Sequence, residues 1–329
     1  MTHSQPQLGL IGVGYWGKNI LRNLSNLGLL HTACDSAEGV TEKWQNSYPE
    51  VRFTHSVDEV MDNPEIDGIV IAAPAVLHYD LAKRAIAAGK DVLVEKPLAL
   101  TAEKGAELVQ LAEDAGRVLM VGHILQYHSA VLKLKELLDS GRLGDIQYIY
   151  SNRLSIGKLR TEENILWSFA PHDISVILML LGRQPERVDA FGGAFLNSHI
   201  FDTTLTTLEF SGNIKAHIFV SWLHPFKEQK LVVVGSEGMV VFDDVSQEKL
   251  FVYPHKIEWM EGRIPVARKA DYEVVEFAPA EPLAAELSHF ADCVASRKTP
   301  RTDGNEGLRV LRVLEAAEHA LSQRAGSNE

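Results

Sequence analysis

Short apolar runs alternate with amphipathic stretches along the first 122 residues of the chain. Between the runs, apolar positions at helical spacing predict helices; Ile20, Leu21 and Leu24 mark one of them, and Gly28 is suited to its C-terminal cap. Continuous apolar runs are typical of parallel strands that are covered on both faces. The pattern therefore predicts an α/β fold with a doubly wound parallel sheet. The runs predicted as its strands are Leu8–Ile11, Leu30–Cys34, Gly68–Ala72, Val92–Val94 and Val118–Val121.

The pattern changes after Gly144 to longer runs that are joined by turn residues such as Ser211-Gly212-Asn213. Such runs are typical of an open, mostly antiparallel sheet. The strand-like runs are 146–154, 188–195, 203–210, 214–223, 231–234 and 239–242, and the predicted helices are 174–181, 286–295 and 307–323.

Two domains fit the length of 329 residues, because single cores stop growing near about 250 to 300 residues. We predict a nucleotide-binding domain over residues 1–123 and a substrate-binding and oligomerisation domain over residues 124–329. The prediction also admits that the last helices pack back near the first domain.

Composition narrows the possible partners. A formal charge of −12 repels phosphate backbones and anionic lipid, so neither nucleic acid nor a membrane is an expected partner. The sequence has two cysteines, Cys34 and Cys293, and so few thiols suit a reducing compartment. The first residues lack the basic and apolar segments of a secretory signal peptide. These features predict a cytoplasmic enzyme or binding protein.

The sharpest local motif is Gly12-Val13-Gly14-Tyr15-Trp16-Gly17, which follows the first predicted strand and begins the first helix. The first glycine permits a tight turn, the second lets the backbone approach a pyrophosphate, and the third lets the helix pack on the strand. The amides at the start of the helix then hold the phosphates. The motif predicts a dinucleotide site, with a glycine-rich turn that binds no ligand as the alternative.

A carboxylate ends the second predicted strand. Asp35 lies about 20 residues after the motif, where such a group accepts hydrogen bonds from the adenosine ribose. Ser36 follows, so no adjacent cation is present to bind a 2′-phosphate, and NAD is predicted rather than NADP. A role for Asp35 as a turn or N-cap residue is compatible with this prediction.

Ligands of open α/β sheets bind beyond the carboxyl ends of the strands. Ala73-Pro74, Glu95-Lys96-Pro97 and His123 lie at these positions. Lys96 comes directly after a fully apolar strand and before a proline, which favours a place in the cleft over an ordinary surface position.

A second group of residues lies in the other half of the chain, at Pro171-His172-Asp173. Proline is favoured at the first helical position, so we expect a helix to begin here, with His172 in its first turn as a neutral base. A buried histidine with a satisfied hydrogen bond, beside an Asp that caps the helix, is an equal alternative. The remaining histidines and the two cysteines lack the spacing of metal ligands, and no metal is predicted.

Taken in order, the glycine motif, Glu95-Lys96-Pro97 and a histidine motif within a β-rich second half resemble the Gfo/Idh/MocA family of oxidoreductases. The resemblance extends over the whole chain, including Thr302-Asp303-Gly304-Asn305-Glu306-Gly307. It implies an N-terminal Rossmann domain, a C-terminal α/β domain with an open sheet, a bound dinucleotide, and a homodimer or homotetramer formed through that sheet.

The resemblance also implies roles for individual residues. Lys96 approaches the nicotinamide and the reacting hydroxyl, Pro97 often follows a cis bond, and His172 handles the proton. Many members carry Asp four residues before the histidine, where this chain has Ser168, and Asp173 points about 100° away on the helix. The residues expected to contact the cofactor are Gly12, Gly14, Tyr15, Trp16, Gly17, Asp35, Ser36, Ala73, Pro74, His78, Glu95, Lys96, Gln126 and Trp167.

Within the family, the runs Gly12 to Asn19, Val121 to His123, Trp167 to Ser175 and Ser221 to Lys227 resemble the nucleotide-sugar branch. This implies NAD-dependent oxidation of the C3 hydroxyl of a UDP-N-acetylglucosamine-type sugar to the 3-keto sugar, which supplies 3-amino sugars for lipid A. The residues expected to contact the substrate are Lys96, His123, Arg153, Lys158, Arg160, Asn164, His172, Asp173, Trp222 and Lys227.

Three other functions are compatible with the sequence. A dehydrogenase of the same family acts on a UDP-sugar acid, a free sugar or a cyclic polyol. A glycoside hydrolase of this fold uses bound NAD transiently. A dinucleotide-sensing regulator binds without catalysis, although it has no need of both Lys96 and His172.

Overall fold

A computed structural model describes residues 5–157 and 159–325 of the chain, and Lys158 lies outside the described residues. The chain divides into two compact units. The first contains the residues up to Tyr127 together with 280–311, and the second contains 128–279 and the residues from Arg312 onward. The first unit is therefore discontinuous in sequence.

A sheet of six parallel strands forms the centre of the first unit. Its strands are β1 (Leu8–Ile11), β2 (Leu30–Cys34), β3 (Arg52–Thr54), β4 (Gly68–Ile71), β5 (Asp91–Glu95) and β6 (Leu119–Gly122). The order β3-β2-β1-β4-β5-β6 is that of dinucleotide-binding Rossmann sheets, with the reversal between β1 and β4. All residues of β1 and β4 are buried, as their apolar sequences predict.

The helices in the described part of the chain are α1 (Gly17–Asn26), α2 (Val40–Gln45), α3 (Val57–Met61), α4 (His78–Ala87), α5 (Ala102–Asp114), α6 (Ser129–Asp139), α7 (Ile165–Leu181), α8 (Pro282–Ser296) and α9 (Gly304–Ala325). In the first unit, α4 packs on β4, β5 and α5, while α1 packs on β1, β2 and α8. A single apolar cluster joins Leu10 of β1, Leu21 of α1 and Phe290 of α8. Residues from late in the chain thus complete the core of the first unit.

The second unit is built on a mixed sheet of eight strands. The later strands of the chain are β7 (Ile146–Leu154), β8 (Arg187–Gly193), β9 (Thr203–Phe210), β10 (Ile214–Ser221), β11 (Glu228–Gly235), β12 (Met239–Asp243), β13 (Leu250–Tyr253), β14 (Lys256–Met260), β15 (Ile264–Arg268) and β16 (Glu273–Val274). The sheet has the order β16-β13-β12-β11-β7-β10-β9-β8, and β14 and β15 form a separate hairpin. Only the β7–β10 pair of the eight-stranded sheet is parallel, so the predicted fold class is confirmed.

The predicted start of the helix that contains His172 is wrong. α7 begins at Ile165 rather than at Pro171, and Pro171 lies inside it. The Asn164 side chain caps the first turn, since its oxygen accepts a hydrogen bond from the backbone N–H of Trp167 at 3.2 Å. Burial of an almost wholly apolar helix outweighs the single hydrogen bond that the proline removes. His172 is therefore well beyond the first turn, where the predicted effect of the helix N-terminus does not reach.

Within the described ranges, no helix is both long enough and apolar enough to cross a bilayer.

Candidate functional site

The glycine-rich turn connects β1 to α1 at the switch point of the six-stranded sheet. Gly12 has φ +97°, and a Cβ at this position would lie 2.6 Å from the backbone oxygen of Ala72. A Cβ on Gly17 would lie 2.0 Å from the backbone oxygen of Gly12, so the turn and helix pack too closely for any side chain. Gly14 differs, because a Cβ there would meet no atom within 4 Å. The open space beside Gly14 is the feature that close approach of a pyrophosphate requires, and the turn fits a dinucleotide.

Asp35 follows β2 and is hydrogen-bonded to the same turn. Its Oδ2 accepts a hydrogen bond from the N–H of Val13 at 2.7 Å, and its Oδ1 accepts one from the N–H of Ala37 at 2.9 Å. An ionised carboxylate has about four acceptor positions, so these two bonds leave capacity for ribose hydroxyls. The turn role and the ribose role of Asp35 are thus compatible, as the sequence predicts.

Ser36 and Pro74 are exposed at the same edge of the sheet, and Ala73 is half-buried there. Tyr15 is 76% exposed, with the Lys18 ammonium 5.2 Å from its ring centroid. Their predicted contacts with the cofactor remain predictions.

The segment Glu95-Lys96-Pro97 continues from β5, and its Lys96–Pro97 peptide bond is cis. Trp16 of the glycine-rich turn donates a hydrogen bond from its indole Nε1 to Glu95 Oε1 at 2.6 Å. Glu95 packs over Gly122 of β6, where a Cβ would lie 3.0 Å from the carboxylate Oε2. Burial raises the pKa of Glu95, and the hydrogen bond from Trp16 and the charge of Lys96 oppose that change. The half-buried Lys96 therefore directly follows a carboxylate that is hydrogen-bonded to the glycine-rich turn.

His78, which was predicted to contact the cofactor, lies instead in the protein interior. It is buried, with Nδ1 at 2.7 Å from the carbonyl oxygen of Pro97 and Nε2 at 2.8 Å from that of Ala73. The geometry disfavours direct cofactor contact. His78 instead holds the loop after β5 to the loop after β4.

His123 and Gln126 also have internal partners. His123 is 2% exposed, and its Nδ1 lies 2.5 Å from Glu306 Oε2. Gln126 is buried and donates from Nε2 to Glu306 Oε1 at 2.7 Å. These contacts disfavour the predicted role of His123 in substrate binding and that of Gln126 in cofactor binding. No local pattern indicates this pairing, since Glu306 lies 180 residues after Gln126.

In the second unit, α7 carries His172 half-buried and Asp173 buried. Asp173 accepts hydrogen bonds at 2.8 and 3.1 Å from Arg153 and at 2.6 Å from the hydroxyl of Ser151. Arg153 and Ser151 both belong to β7, so this cluster fixes α7 to the sheet. The cluster positions the helix that carries His172.

The same cluster bears on two of the predicted substrate contacts. Arg153 is 8% exposed and its guanidinium is bound to Asp173, which disfavours a contact between Arg153 and a substrate diphosphate. Asp173 is likewise engaged within the protein rather than presented to a substrate.

The start of α7 has a second polar cluster. Glu318 of α9 accepts hydrogen bonds from the Asn164 amide at 2.9 Å and from the Trp167 indole at 3.2 Å. The side-chain oxygen and the side-chain nitrogen of Asn164 are thus both hydrogen-bonded within the protein, and so is the indole N–H of Trp167, the single donor of that side chain. These contacts disfavour the predicted roles of Asn164 at the sugar and of Trp167 at the cofactor.

Among the other predicted substrate contacts, Trp222 is 1% exposed, which disfavours contact with a sugar. Arg160 forms an ion pair with Glu163 at 2.9 Å and keeps 42% of its side chain exposed. Lys227 is exposed after β10. Arg160 and Lys227 thus remain predicted cations for a diphosphate, and Lys158 lies outside the described residues.

Replacing Asp173 with alanine is expected to reduce the free energy of unfolding by about 3 to 5 kcal/mol, because it leaves the buried Arg153 guanidinium without its counterion. Urea unfolding measures this change. Glu136→Ala, which removes a surface ion pair with Lys133, is the control and should cost less than about 1 kcal/mol. Equal stability of the Asp173 variant and the wild type would contradict the structural role of the cluster.

Comparison with known proteins gives two matches to family models. A model described as the oxidoreductase family, NAD-binding Rossmann fold, matches residues 7–123. The GFO/IDH/MocA C-terminal domain matches residues 131–241.

Among relatives, the UDP-N-acetylglucosamine 3-dehydrogenase of Acidithiobacillus ferrooxidans is 26% identical over 92% of this chain and 93% of its own. A solved structure of that enzyme has a TM-score of 0.85 at 25% identity and covers 97% of this chain and 98% of its own. The scyllo-inositol 2-dehydrogenase (NAD(+)) of Bacillus subtilis is 24% identical over 89% of this chain and 86% of its own. A structure from Magnetospirillum magnetotacticum MS-1 is 30% identical, covers 95% of this chain and 100% of its own, and has a TM-score of 0.81.

Proposed function

Because the chain belongs to the Gfo/Idh/MocA family of oxidoreductases, we propose that it oxidises the C3 hydroxyl of a UDP-N-acetylglucosamine-type nucleotide sugar to the 3-keto sugar, with NAD as the acceptor. The observation that carries the proposal is the similarity to the Acidithiobacillus ferrooxidans enzyme, which spans nearly the whole of both chains in sequence and in structure. A 3-keto product is the carbonyl that an amino-transfer reaction needs, so the product suits the synthesis of 3-amino sugars.

The residues that hold the cofactor are those of the first unit. Amides at the start of α1 and the space beside Gly14 accept the pyrophosphate, and Asp35 accepts the ribose hydroxyls. When bound, the nicotinamide supplies a hydride acceptor, which the side chains of a protein cannot provide.

Two side chains carry the proton and the charge in the proposed reaction. An imidazole nitrogen of His172 takes the proton of the C3 hydroxyl as the C3 hydrogen leaves as hydride, which generates the carbonyl. The Lys96 ammonium donates a hydrogen bond to the oxygen while negative charge develops on it. Arg160 and Lys227 are the described cations proposed for the diphosphate.

The test of the function is a panel of substrates, assayed by the absorbance of NADH. UDP-N-acetylglucosamine is expected to give the highest kcat/KM, and product analysis should show a carbonyl at C3. UDP-sugar acids, free sugars and cyclic polyols complete the panel. Scyllo-inositol is included as one of the cyclic polyols, because the scyllo-inositol 2-dehydrogenase of Bacillus subtilis is similar to this chain over most of its length. A clear preference for any of the others would replace the proposed substrate.

The preference for NAD rests on Asp35 and Ser36. Ser36→Arg adds a cation without disturbing the hydrogen bonds of Asp35, so it should improve kcat/KM with NADP by about tenfold or more. Asp35→Asn should weaken NAD binding by about 10-fold to 100-fold, since it replaces charge-assisted hydrogen bonds with neutral ones. Steady-state kinetics with both cofactors measures these changes. A wild-type enzyme that prefers NADP would contradict the proposed role of Asp35.

We also propose a homodimer or homotetramer formed through the eight-stranded sheet. Ser151 and Arg153 face α7, so Tyr148 and Tyr150 lie on the opposite face of β7, where the Tyr150 ring stacks on His217 of β10 at 5.5 Å. α7 therefore packs on the other face of β7 from these aromatic rings. Light scattering from the purified protein tests the proposal, and a monomer at micromolar concentration would contradict it.

A further inference from the structure

His78 is a buried histidine that the proposed reaction does not use. It is the first residue of α4 and is 1% exposed. Its Nδ1 lies 2.7 Å from the carbonyl oxygen of Pro97, and its Nε2 lies 2.8 Å from the carbonyl oxygen of Ala73. Both ring nitrogens therefore face a group that can only accept a hydrogen bond.

These two contacts bear on the protonation of the ring. A neutral imidazole has one N–H and one lone pair, so it can donate to one carbonyl only, and its lone pair then points at the lone pairs of the other carbonyl. The imidazolium has two N–H groups and satisfies both carbonyls. The distances of 2.7 and 2.8 Å also fit the shorter hydrogen bonds of charged donors better than the usual length of about 2.9 to 3.0 Å for neutral ones.

The elements around α4 carry charges of both signs. α4 packs on β4 and on the short turn Ala75–Leu77, neither of which has an ionisable side chain, and on β5 and α5. The ionisable residues of β5, of α5 and of the rest of α4, together with the lysine that follows β5, are Asp91, Glu95, Lys96, Glu103, Lys104, Glu107, Glu113, Asp114, Tyr79, Asp80, Lys83 and Arg84. Lys83 is paired with Glu107, Arg84 with Asp58, and Asp91 with Arg297.

The nearby charges oppose one another, so the two carbonyl oxygens decide the protonation. The N-terminus of α4 disfavours a cation, whereas Asp80 in the first turn favours one. On the side of β5, the charge of Glu95 favours a cation and that of Lys96 disfavours one. Burial also disfavours the cation, and two charge-assisted hydrogen bonds are the compensation that a buried cation requires.

His78 connects the loop of Lys96 to the glycine-rich turn. Pro97, whose carbonyl oxygen faces Nδ1, directly follows Lys96. Ala73, whose carbonyl oxygen faces Nε2, lies against the turn, because a Cβ on Gly12 would lie 2.8 Å from the backbone nitrogen of Ala73. A ring that is hydrogen-bonded to both carbonyls therefore fixes the backbone beside Lys96 relative to the turn that fits a dinucleotide.

We propose that His78 is a buried imidazolium that donates hydrogen bonds to Ala73 and Pro97 at neutral pH, and that it is thereby a positioning residue for Lys96. Loss of the proton frees one of the two carbonyls and loosens the backbone beside Lys96. The role at Lys96 rests on the proposed function, whereas the protonation of His78 does not.

NMR of the cofactor-free protein, labelled with ¹⁵N in its histidines, tests the protonation directly. At about pH 7.5 a free imidazole, whose pKa is about 6.5, is mostly neutral, and its two nitrogens have widely separated shifts. His78 is expected to show two protonated nitrogens of nearly equal shift, and His78→Gln identifies this signal by its loss. If that variant does not fold, sequential assignment of the wild type identifies the ring. A neutral His78 ring at this pH would overturn the proposal.

The pH dependence of urea unfolding gives an independent measurement. The unfolded chain binds a proton at this histidine only below about pH 6.5, whereas the folded protein is expected to keep the proton to higher pH. The stability that the imidazolium contributes is thus complete below about pH 6.5 and is lost as the pH rises. Relative to His78→Gln, the wild type should lose up to about tenfold in its folding equilibrium constant per pH unit above 6.5. A difference that grows with pH, or does not change with it, contradicts a buried imidazolium.

The role at Lys96 is tested by a double-mutant cycle. His78→Phe keeps a planar ring but removes both donors, and it should lower kcat by about 10-fold to 100-fold, since a shift of about 1 Å in a catalytic group costs activity on this scale. In the Lys96→Ala background the same substitution should change kcat by less than about threefold, because the ammonium that His78 positions is absent. Equal losses in the two backgrounds would show that His78 does not act through Lys96.

His319→Phe, at an exposed site on α9, is the matched control for the cycle. It should leave kcat unchanged within about twofold in both backgrounds. A protein that turns over no nucleotide sugar fails the proposed function, but its NMR spectrum and its unfolding still test the protonation of His78.

Discussion

Replacing Lys96 with alanine is expected to lower kcat by about 10²-fold to 10⁴-fold, while the Kd for NAD changes by less than about threefold. The physical reason is the position of Lys96 directly after β5, at the edge of the sheet where the glycine-rich turn lies. Its ammonium stabilises the oxygen only while negative charge develops there, so its loss affects the chemical step more than binding. Steady-state kinetics and a titration of NAD by tryptophan fluorescence measure the two quantities.

Lys104→Ala is the matched control, because this lysine is exposed on α5 of the same unit. It should leave kcat within about twofold of the wild type. Lys96→Arg retains the charge but changes its geometry, and should recover only part of the lost activity. An undiminished kcat in the Lys96→Ala variant would remove Lys96 from the reaction.

Replacing His172 with alanine should lower kcat by about 10²-fold to 10⁴-fold, because the substrate hydroxyl then loses its proton to water. The residual activity should rise with pH as hydroxide replaces the missing base, and added imidazole should restore part of it. With a substrate deuterated at C3, the primary isotope effect on kcat should reach its full value, since hydride transfer becomes the slow step.

His319→Ala provides the control for this second variant, since this histidine lies exposed on α9. Its kcat should stay near that of the wild type. A His172→Ala enzyme with the pH profile of the wild type would show that another group accepts the proton.

Much of the fold follows from the sequence, because apolar periodicity and glycine placement are local properties. The predicted bounds of β1, β2, β7 and β9 agree with the structure to the residue. β3 was missed because it has only three residues and an exposed Arg52 at its start. The hairpin of β14 and β15 was missed because exposed strands lack the apolar alternation that marks a buried face.

The start of α7 shows where local rules fail. Proline favours the first helical position, yet here the apolar residues on both sides of Pro171 keep the helix continuous because they are buried. A prediction from helix-capping preferences alone takes no account of the burial of these apolar residues, which depends on the tertiary fold.

The site was predicted only where the chemistry is contiguous in sequence. Gly12, Asp35 and Lys96 all follow strands directly, so the parallel sheet places them at one edge. The partners of the polar side chains come from distant parts of the chain. Glu306 binds His123, and Glu318 binds Asn164 and Trp167, and no local pattern connects these residues before the chain is folded.

The discontinuity of the first unit has a consequence for biosynthesis. Leu287 and Phe290 belong to the apolar cluster around β1. They are translated long after β6, because the residues of the second unit between β6 and α8 come first. The residues between β6 and α8 must therefore be synthesised before the nucleotide-binding unit can bury its interior. During that interval the nascent chain exposes an incomplete apolar surface, which is the kind of surface that chaperones bind.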